Sequence, residues 1–144
     1  MAEEEHHRKL ERMYLAAPCN DYFRPRISVS RGRAEVTLEV REDFHHAAGA
    51  AHGTVYFKLL DDAAFFACNS LVQDRIVLTA QFQVHLLRPV FTGEMRAVGE
   101  VVQNGASLMV GESRVYDAKG REIGRGSGTF QKSRLPLTRE MGYA

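Results

Sequence analysis

Hydrophobic and polar residues alternate along much of the chain, and this period-two pattern is typical of strands with one buried face. Residues 34–40 alternate without interruption, and a longer alternation runs over 76–88 until Pro89. Further strands are predicted over 27–30, 94–102, 107–116 and 122–132. Turn sequences such as Asn104-Gly105 separate neighbouring strands, so the pattern predicts consecutive hairpins and an antiparallel sheet.

Two segments have helical spacing instead. Residues 3–16 are charged, with a few apolar residues on one side, and they predict a short amphipathic helix on the surface. Residues 54–71 contain no helix breaker, and Thr54 is a suitable cap for their start. Apolar residues cover well over half of the helical wheel of this second segment, so it is predicted to be buried on most sides.

A single helix buried on nearly every side requires a strongly curved sheet wrapped around it. The pattern therefore predicts an α+β protein with the hotdog fold, in which a curved antiparallel sheet surrounds one long central helix. We expect one domain over residues 1–144, with an irregular and frayed tail from about residue 135.

Composition and charge narrow the class of protein. The 144 residues carry 19 lysines and arginines against 18 acidic residues, without the basic excess typical of proteins that bind nucleic acid. No apolar run is long enough to cross a membrane, and the N-terminus lacks the apolar segment of a signal peptide. Cys19 and Cys68 form no CxxC pair, which is typical of a reducing compartment. We expect a cytoplasmic protein with no nucleic-acid partner, no membrane association and no cofactor.

The segment from His45 to Glu94 resembles the PaaI-like branch of the hotdog thioesterases. That branch often carries the pattern HxNxxGxxHGG followed by Leu-x-Asp and Ala, and the matching stretches here are 44–54, 59–64, 67–70 and 87–94. Three positions depart from the pattern: Phe44, His46 and Thr54 stand where the family has histidine, asparagine and glycine. The resemblance implies an acyl-CoA thioesterase, which releases a carboxylic acid and free CoA, and a homodimer that often pairs into a tetramer.

Thioester hydrolysis needs a donor for the developing oxyanion and a carboxylate that acts as base or nucleophile. Gly53, at the predicted start of the central helix, offers a free backbone N–H. Asp61 is the carboxylate that the resemblance selects, while helical spacing alone leaves its neighbour Asp62 open. Lys58 could pair with either carboxylate.

Gly53 and Asp61 are too far apart to serve one thioester within a single chain. Eight residues span about 12 Å along a helix. Two such helices running antiparallel across a two-fold axis would bring Gly53 of one chain near Asp61 of the other. The spacing therefore predicts a dimer with two shared sites, as does the resemblance.

The remaining candidates complete the predicted site. By the resemblance, Thr79 holds the attacking water, and His46 orients it in place of the family's asparagine; Thr79 also shares its predicted strand face with Gln81 and Gln83. His52 and Thr54 are expected to shape the substrate-binding turn, and Arg88 and Arg125 are candidates for the phosphates of CoA.

Histidines are frequent, but their spacing does not predict a metal site. His45, His46 and His52 lack a cysteine or carboxylate at the usual ligand spacing. The other three are interpreted as surface residues: His6, His7 and His85.

Two alternatives to a thioesterase stay open at this point. A hotdog hydratase or dehydratase would pair Asp61 with His46 or His52. A non-catalytic acyl-CoA sensor usually carries a DNA-binding segment, and the 26 residues before the first predicted strand are few for one.

Overall fold

The computed structural model describes residues 2–144, and its main feature is a six-stranded antiparallel sheet in the order β1-β2-β4-β5-β6-β3. The strands are β1 (Arg26–Ser30), β2 (Arg33–Val40), β3 (Arg75–Leu86), β4 (Gly93–Asn104), β5 (Leu108–Tyr116) and β6 (Glu122–Pro136). The helices are α1 (Ala2–Ala16), α2 (Asn20–Phe23) and α3 (Gly53–Asn69), with short 3-10 turns at Glu42–Phe44 and Arg139–Met141.

The concave face of the sheet wraps around α3, as the apolar wheel of that helix predicts. Ten of its residues are buried, among them Leu59, Leu60 and Ala63. Gly99 on β4 permits the closest approach, because a Cβ atom at that position would lie 2.3 Å from the backbone carbonyl of Ala63. The strand therefore packs directly on the backbone of the helix, and no other residue type fits there without a shift.

A β-bulge divides β3 and changes which residues face the helix. Thr79 pairs with Phe130 and Gln81 pairs with Thr129, so Ala80 has no partner on β6. An extra residue exchanges the two faces of a strand. Val77 and Thr79 face inward before the bulge, and Phe82 packs against Phe130 after it. The uninterrupted alternation predicted over 76–88, with Thr79 on the face of Gln81 and Gln83, is therefore wrong.

The N-terminal helix, Ala2–Ala16, lies deeper than expected for a helix on the surface. His6 and His7 are both buried, so their interpretation as surface residues is wrong, whereas His85 is exposed. The His6 Nε2 atom lies 2.9 Å from the Asn69 carbonyl oxygen at the end of α3. Leu10 is completely buried and joins α1 to the main core.

The C-terminal tail is ordered, which corrects the prediction of a frayed end. Strand β6 continues to Pro136, and the chain then forms the 3-10 turn Arg139–Met141. The Tyr143 hydroxyl lies 2.7 Å from His6 Nδ1, so the two ends of the chain are joined by a hydrogen bond. Leu137 and Met141 pack on the main core, and apolar burial holds the tail in place.

None of the helices within residues 2–144 is both long enough and apolar enough to cross a membrane.

Candidate active site

The N-terminus of α3 is capped by a histidine. His52 has an extended backbone, and its Nδ1 accepts a hydrogen bond from the backbone N–H of Thr54 at 3.1 Å. Thr54 is thus the second residue of the helix, and the expectation that it caps the helix is wrong. Its hydroxyl also lies 3.0 Å from the same His52 nitrogen. No described residue accepts a hydrogen bond from the Gly53 N–H, which leaves this donor available to a ligand.

A cleft of about 300 Å³ opens beside Gly53. His46 and Tyr56 line one part of it, and the segment from Leu86 to Pro89 forms its lip. The Tyr56 hydroxyl donates to the Arg88 carbonyl oxygen at 2.7 Å and so fixes this lip above the helix. A Cβ atom at position 53 would lie 3.0 Å from Leu86 Cδ1, so a larger residue there would press on the tip of the Leu86 side chain, which lines the cleft.

His46 is held within the turn that precedes the helix. Its Nδ1 accepts from the backbone N–H of Ala48 at 3.0 Å, and its ring lies 6.4 Å from that of His52, centroid to centroid. Nε2 is the ring nitrogen left to bond a ligand in the cleft. The third histidine of this segment, His45, lies 2.9 Å from the Phe91 carbonyl oxygen through its Nε2.

Two turns further along α3, Asp61 meets Thr79 of β3. The Thr79 hydroxyl donates to Asp61 Oδ1 at 2.9 Å. Burial raises the pKa of Asp61 to about 6, although the hydrogen bond from Thr79 acts in the opposite direction. The carboxylate is therefore ionised at neutral pH and is a stronger base than an ordinary aspartate.

Asp62 faces the opposite way, towards α1, and one of its two oxygens holds both of its partners. Its Oδ2 accepts from the Tyr14 hydroxyl at 2.7 Å and from Lys58 Nζ at 2.8 Å. Burial and the charge of Asp62 raise the pKa of Tyr14, so the phenol stays protonated and remains a donor. Of the two adjacent carboxylates, only Asp61 points to β3 with a free oxygen, and Lys58 pairs with Asp62.

The structure divides the predicted residues into separate groups. One group surrounds the cleft at the start of α3: His46, His52, Gly53, Thr54 and Arg88. Asp61 and Thr79 form a second group, about 12 Å along the helix axis from Gly53. Arg125 lies apart from both, on the outer face of the sheet, where its NH2 group donates to Glu122 at 2.9 Å.

The sequence pattern does not place Leu86 or Tyr14 in these groups, and it leaves Tyr56 open between pocket lining and core. The position of Tyr56, three residues after Gly53, puts it on the same face of the helix as the free N–H, and the structure places it in the cleft. No local signal connects Tyr14 with Asp62, because their contact depends on how α1 packs against α3. Within the described part of the chain, no three histidine, cysteine or carboxylate side chains converge as metal ligands would.

Comparison with known proteins identifies the family. The family model described as the thioesterase superfamily matches residues 48–123, which is more than half of the chain. The chain belongs to the thioesterase superfamily. The match contains the whole of α3 and β3, and with them Gly53, Asp61 and Thr79.

Similar proteins support this membership of the thioesterase superfamily. A 1,4-dihydroxy-2-naphthoyl-CoA hydrolase of Listeria monocytogenes is 34% identical over 92 residues, which cover 63% of this chain and 75% of that protein. A putative esterase of Saccharolobus solfataricus is 25% identical over 95 residues, covering 66% of this chain and 68% of that one.

Solved structures show the same fold. The PaaI protein of E. coli, from the phenylacetic acid degradation operon, superposes with a TM-score of 0.86 at 23% identity and covers 96% of this chain and 100% of its own. A thioesterase family protein from Silicibacter pomeroyi gives a TM-score of 0.81 at 26% identity, over 88% and 96% of the two chains. The predicted hotdog fold and the prediction of a thioester hydrolase are both confirmed.

Proposed function

We propose that the protein hydrolyses an acyl-CoA thioester, with Asp61 of one protomer and the Gly53 N–H of another acting on the same carbonyl group. The thioesterase superfamily match and the CoA-ester hydrolase among the relatives support the acyl-CoA class of substrate. The observation that carries the assignment of Asp61 is its environment: a half-buried carboxylate with a raised pKa and one threonine donor, and no cationic side chain of residues 2–144 in contact with it.

The Asp61 carboxylate and the helix N-terminus at Gly53 carry opposite charges, and each suits one part of the reaction. The carboxylate supplies the negative group that activates water, or attacks the carbonyl itself. The helix N-terminus supplies a partial positive charge and an N–H that is not bonded within the chain. In the water route, Asp61 takes a proton from water, the new oxygen bonds to the carbonyl carbon, and the C–S bond breaks. The departing sulfur takes up a proton, so that a carboxylic acid and a thiol are released.

The distance between Asp61 and Gly53 supports a shared site. About 12 Å along one helix is too far for both groups to reach one carbonyl. Strand β3 lies at the edge of the sheet, with one side of its backbone unpaired, and exposed edges of this length are usually covered. A second copy paired along β3 would run the two α3 helices antiparallel and bring each Gly53 towards the partner's Asp61. A homodimer, and its pairing into a tetramer, form part of this proposal.

The other predicted roles follow from position. His46 lines the cleft with its Nδ1 already bonded, and it is proposed to orient the water or the thioester through Nε2, while His52 and Thr54 shape the turn at the oxyanion donor. Arg88, on the exposed lip, is the better placed of the two arginines for a CoA phosphate, and Arg125 would serve only a phosphate that reaches the outer face. A cytoplasmic location stays a prediction.

The test is release of free thiol from a panel of acyl-CoA esters. We expect Asp61→Asn to lower kcat by about 10² to 10⁴, the usual contribution of a positioned base. Asp62→Asn, the matched change one residue away, keeps a far larger share of the activity. An enoyl-CoA included in the panel separates hydration from hydrolysis. Water addition to the enoyl group without thiol release, or loss of thiol release in Asp62→Asn but not in Asp61→Asn, would overturn the proposal.

A further inference from the structure

A closed cluster of charged and aromatic side chains lies directly behind Asp61, on the side away from β3. Lys58 and Asp62 form its ion pair at 2.8 Å, and their side chains are only 13% and 18% exposed. The Tyr14 hydroxyl donates to the same carboxylate oxygen that accepts from Lys58. The cluster joins α3 to the N-terminal segment of the chain.

The ammonium group of Lys58 is enclosed by aromatic rings. Its Nζ atom lies 5.3 Å from the centre of the Tyr14 ring and 4.8 Å from that of Phe23. Aromatic faces attract a cation, and the effect grows when water is excluded. Lys58 is therefore held at a fixed position, three residues before Asp61 and four before Asp62, instead of extending into solvent as most lysines do.

The position of Lys58 affects how the adjacent carboxylates Asp61 and Asp62 ionise. Two neighbouring negative charges in a poorly solvated site repel each other, and one of them then resists ionisation. The charges that act on Asp61 in the described chain are Lys58 and Asp62, with opposite signs, and its only hydrogen-bond donor is Thr79. Lys58 therefore opposes the effect of Asp62 on Asp61, although the effect of Asp62 is the larger of the two.

We infer that Lys58, Asp62 and Tyr14 form a charge-compensated unit of positioning residues, which anchors the N-terminal helix to α3 while Lys58 limits the effect of the Asp62 charge on the ionisation of Asp61. This inference rests on the proposed function, since it assigns the unit to the carboxylate of that site. Asp62 supplies the anchor to Tyr14, and Lys58 offsets part of the effect that the Asp62 charge has on Asp61. None of the three touches the substrate.

Single and double substitutions test the compensation. Asp62→Asn leaves Lys58 uncompensated and lowers the Asp61 titration midpoint, while Lys58→Met leaves Asp62 uncompensated and raises it. Each change is expected to move the midpoint by about 1 pH unit, the size of shift that a charge on a neighbouring side chain commonly produces. The double variant Lys58→Met/Asp62→Asn removes both charges and returns the midpoint to near the wild-type value. If the single substitutions shifted the midpoint by damaging the fold, the second substitution would not restore it.

Two readouts keep this inference separate from the proposed function. Carbon-13 NMR of the Asp61 carboxyl gives its titration midpoint without any substrate, and the pH dependence of kcat/KM gives the same midpoint through activity. Lys58→Arg, which keeps the charge, and Tyr14→Phe, which removes only the hydroxyl, complete the set. We expect Lys58→Arg to keep the wild-type titration midpoint of Asp61. We expect Tyr14→Phe to raise that midpoint by less than Lys58→Met does.

The possible outcomes are distinct. Opposite shifts in the single variants and recovery in the double variant support the unit. Shifts in the same direction, no shifts, or no recovery in the double variant overturn it. If the NMR midpoints move as stated while no acyl-CoA is hydrolysed, the proposed function fails and the unit stands. Should either single variant fail to fold, Tyr14→Phe and Lys58→Arg decide instead. A small rise in Tyr14→Phe with the wild-type midpoint in Lys58→Arg supports the unit, and any other pair of results overturns it.

Discussion

Replacement of Asp61 by asparagine should stabilise the folded protein while it removes activity. The substitution keeps the size of the side chain, and the amide oxygen can still accept from Thr79. It removes a charge that the fold accommodates at a cost, because burial raises the pKa of Asp61 from an ordinary 3.8 to about 6. A side chain that serves catalysis at a cost in stability is expected to show this pair of effects: its replacement stabilises the fold and removes the activity.

The magnitude follows from the change in pKa. Each unit corresponds to about 1.4 kcal/mol, so a rise of about two units sets an upper limit near 3 kcal/mol. Asp61 retains some contact with solvent, which reduces the expected gain to about 1–2 kcal/mol. In the wild-type protein, the loss of stability caused by burying the Asp61 charge is absent below pH 3.8. It develops as the pH rises towards 6 and is complete above that pH. The difference between variant and wild type should therefore grow with pH and then level off.

Urea unfolding at pH 4.5, 6 and 7.5, at one fixed protein concentration, measures this difference. Asp74→Asn serves as the matched control, since the Asp74 side chain is 84% exposed and its replacement should change the free energy of unfolding by less than about 0.5 kcal/mol. If Asp61→Asn is destabilised at pH 7.5, or if its difference from wild type is the same at all three pH values, the reasoning about the buried charge is refuted.

Three further predictions concern the site and the fold. Because Asp61 must be ionised to act, kcat/KM should be half-maximal near pH 6, the pKa to which its burial raises it, and a profile flat from pH 5 to 7 would contradict this role. Gly99→Ala should lower the free energy of unfolding by about 3 kcal/mol or more, since its Cβ would overlap the Ala63 backbone, and an unchanged urea midpoint would exclude that close packing. Tyr143→Phe should cost about 1 kcal/mol through the lost hydrogen bond to buried His6, and equal stability would show that this bond contributes nothing.

The hydrophobic pattern predicts the elements well and the face of one strand badly. Helix α3 and six strands follow from periods of 3.6 and two, which report local geometry. The bulge at Ala80 has no local sequence signal, because it arises where Thr79 and Gln81 take consecutive partners on β6. Because Ala80 is unmatched, Thr79 and Gln81 lie on different faces of the strand. Thr79 therefore contacts Asp61, whereas the alternation alone places Thr79 on the polar face of Gln81 and Gln83.

Contacts between distant parts of the chain explain the remaining differences. Asp61 and Asp62 are adjacent on one apolar helix, and only the arrival of β3 on one side and α1 on the other distinguishes them. The burial of His6 likewise depends on a partner 137 residues away, at the end of a tail whose own sequence shows no regular pattern. Periodicity reports which side of an element is apolar, but not which element will cover it.

The most direct test of the shared site is complementation between two inactive variants, Asp61→Asn and Gly53→Pro. Proline removes the N–H proposed to polarise the carbonyl, and the first position of a helix tolerates it. The extended backbone of His52 also suits a following proline, and circular dichroism checks that the variant folds.

Refolding the two variants together gives heterodimers in which one site has both groups and the other has neither. Random pairing makes about half of the dimers mixed, so about a quarter of the wild-type thiol release should return. Each variant refolded alone should stay inactive. If verified, folded heterodimers release no thiol above those controls, Gly53 and Asp61 do not act on one thioester across two chains, and the central claim is wrong.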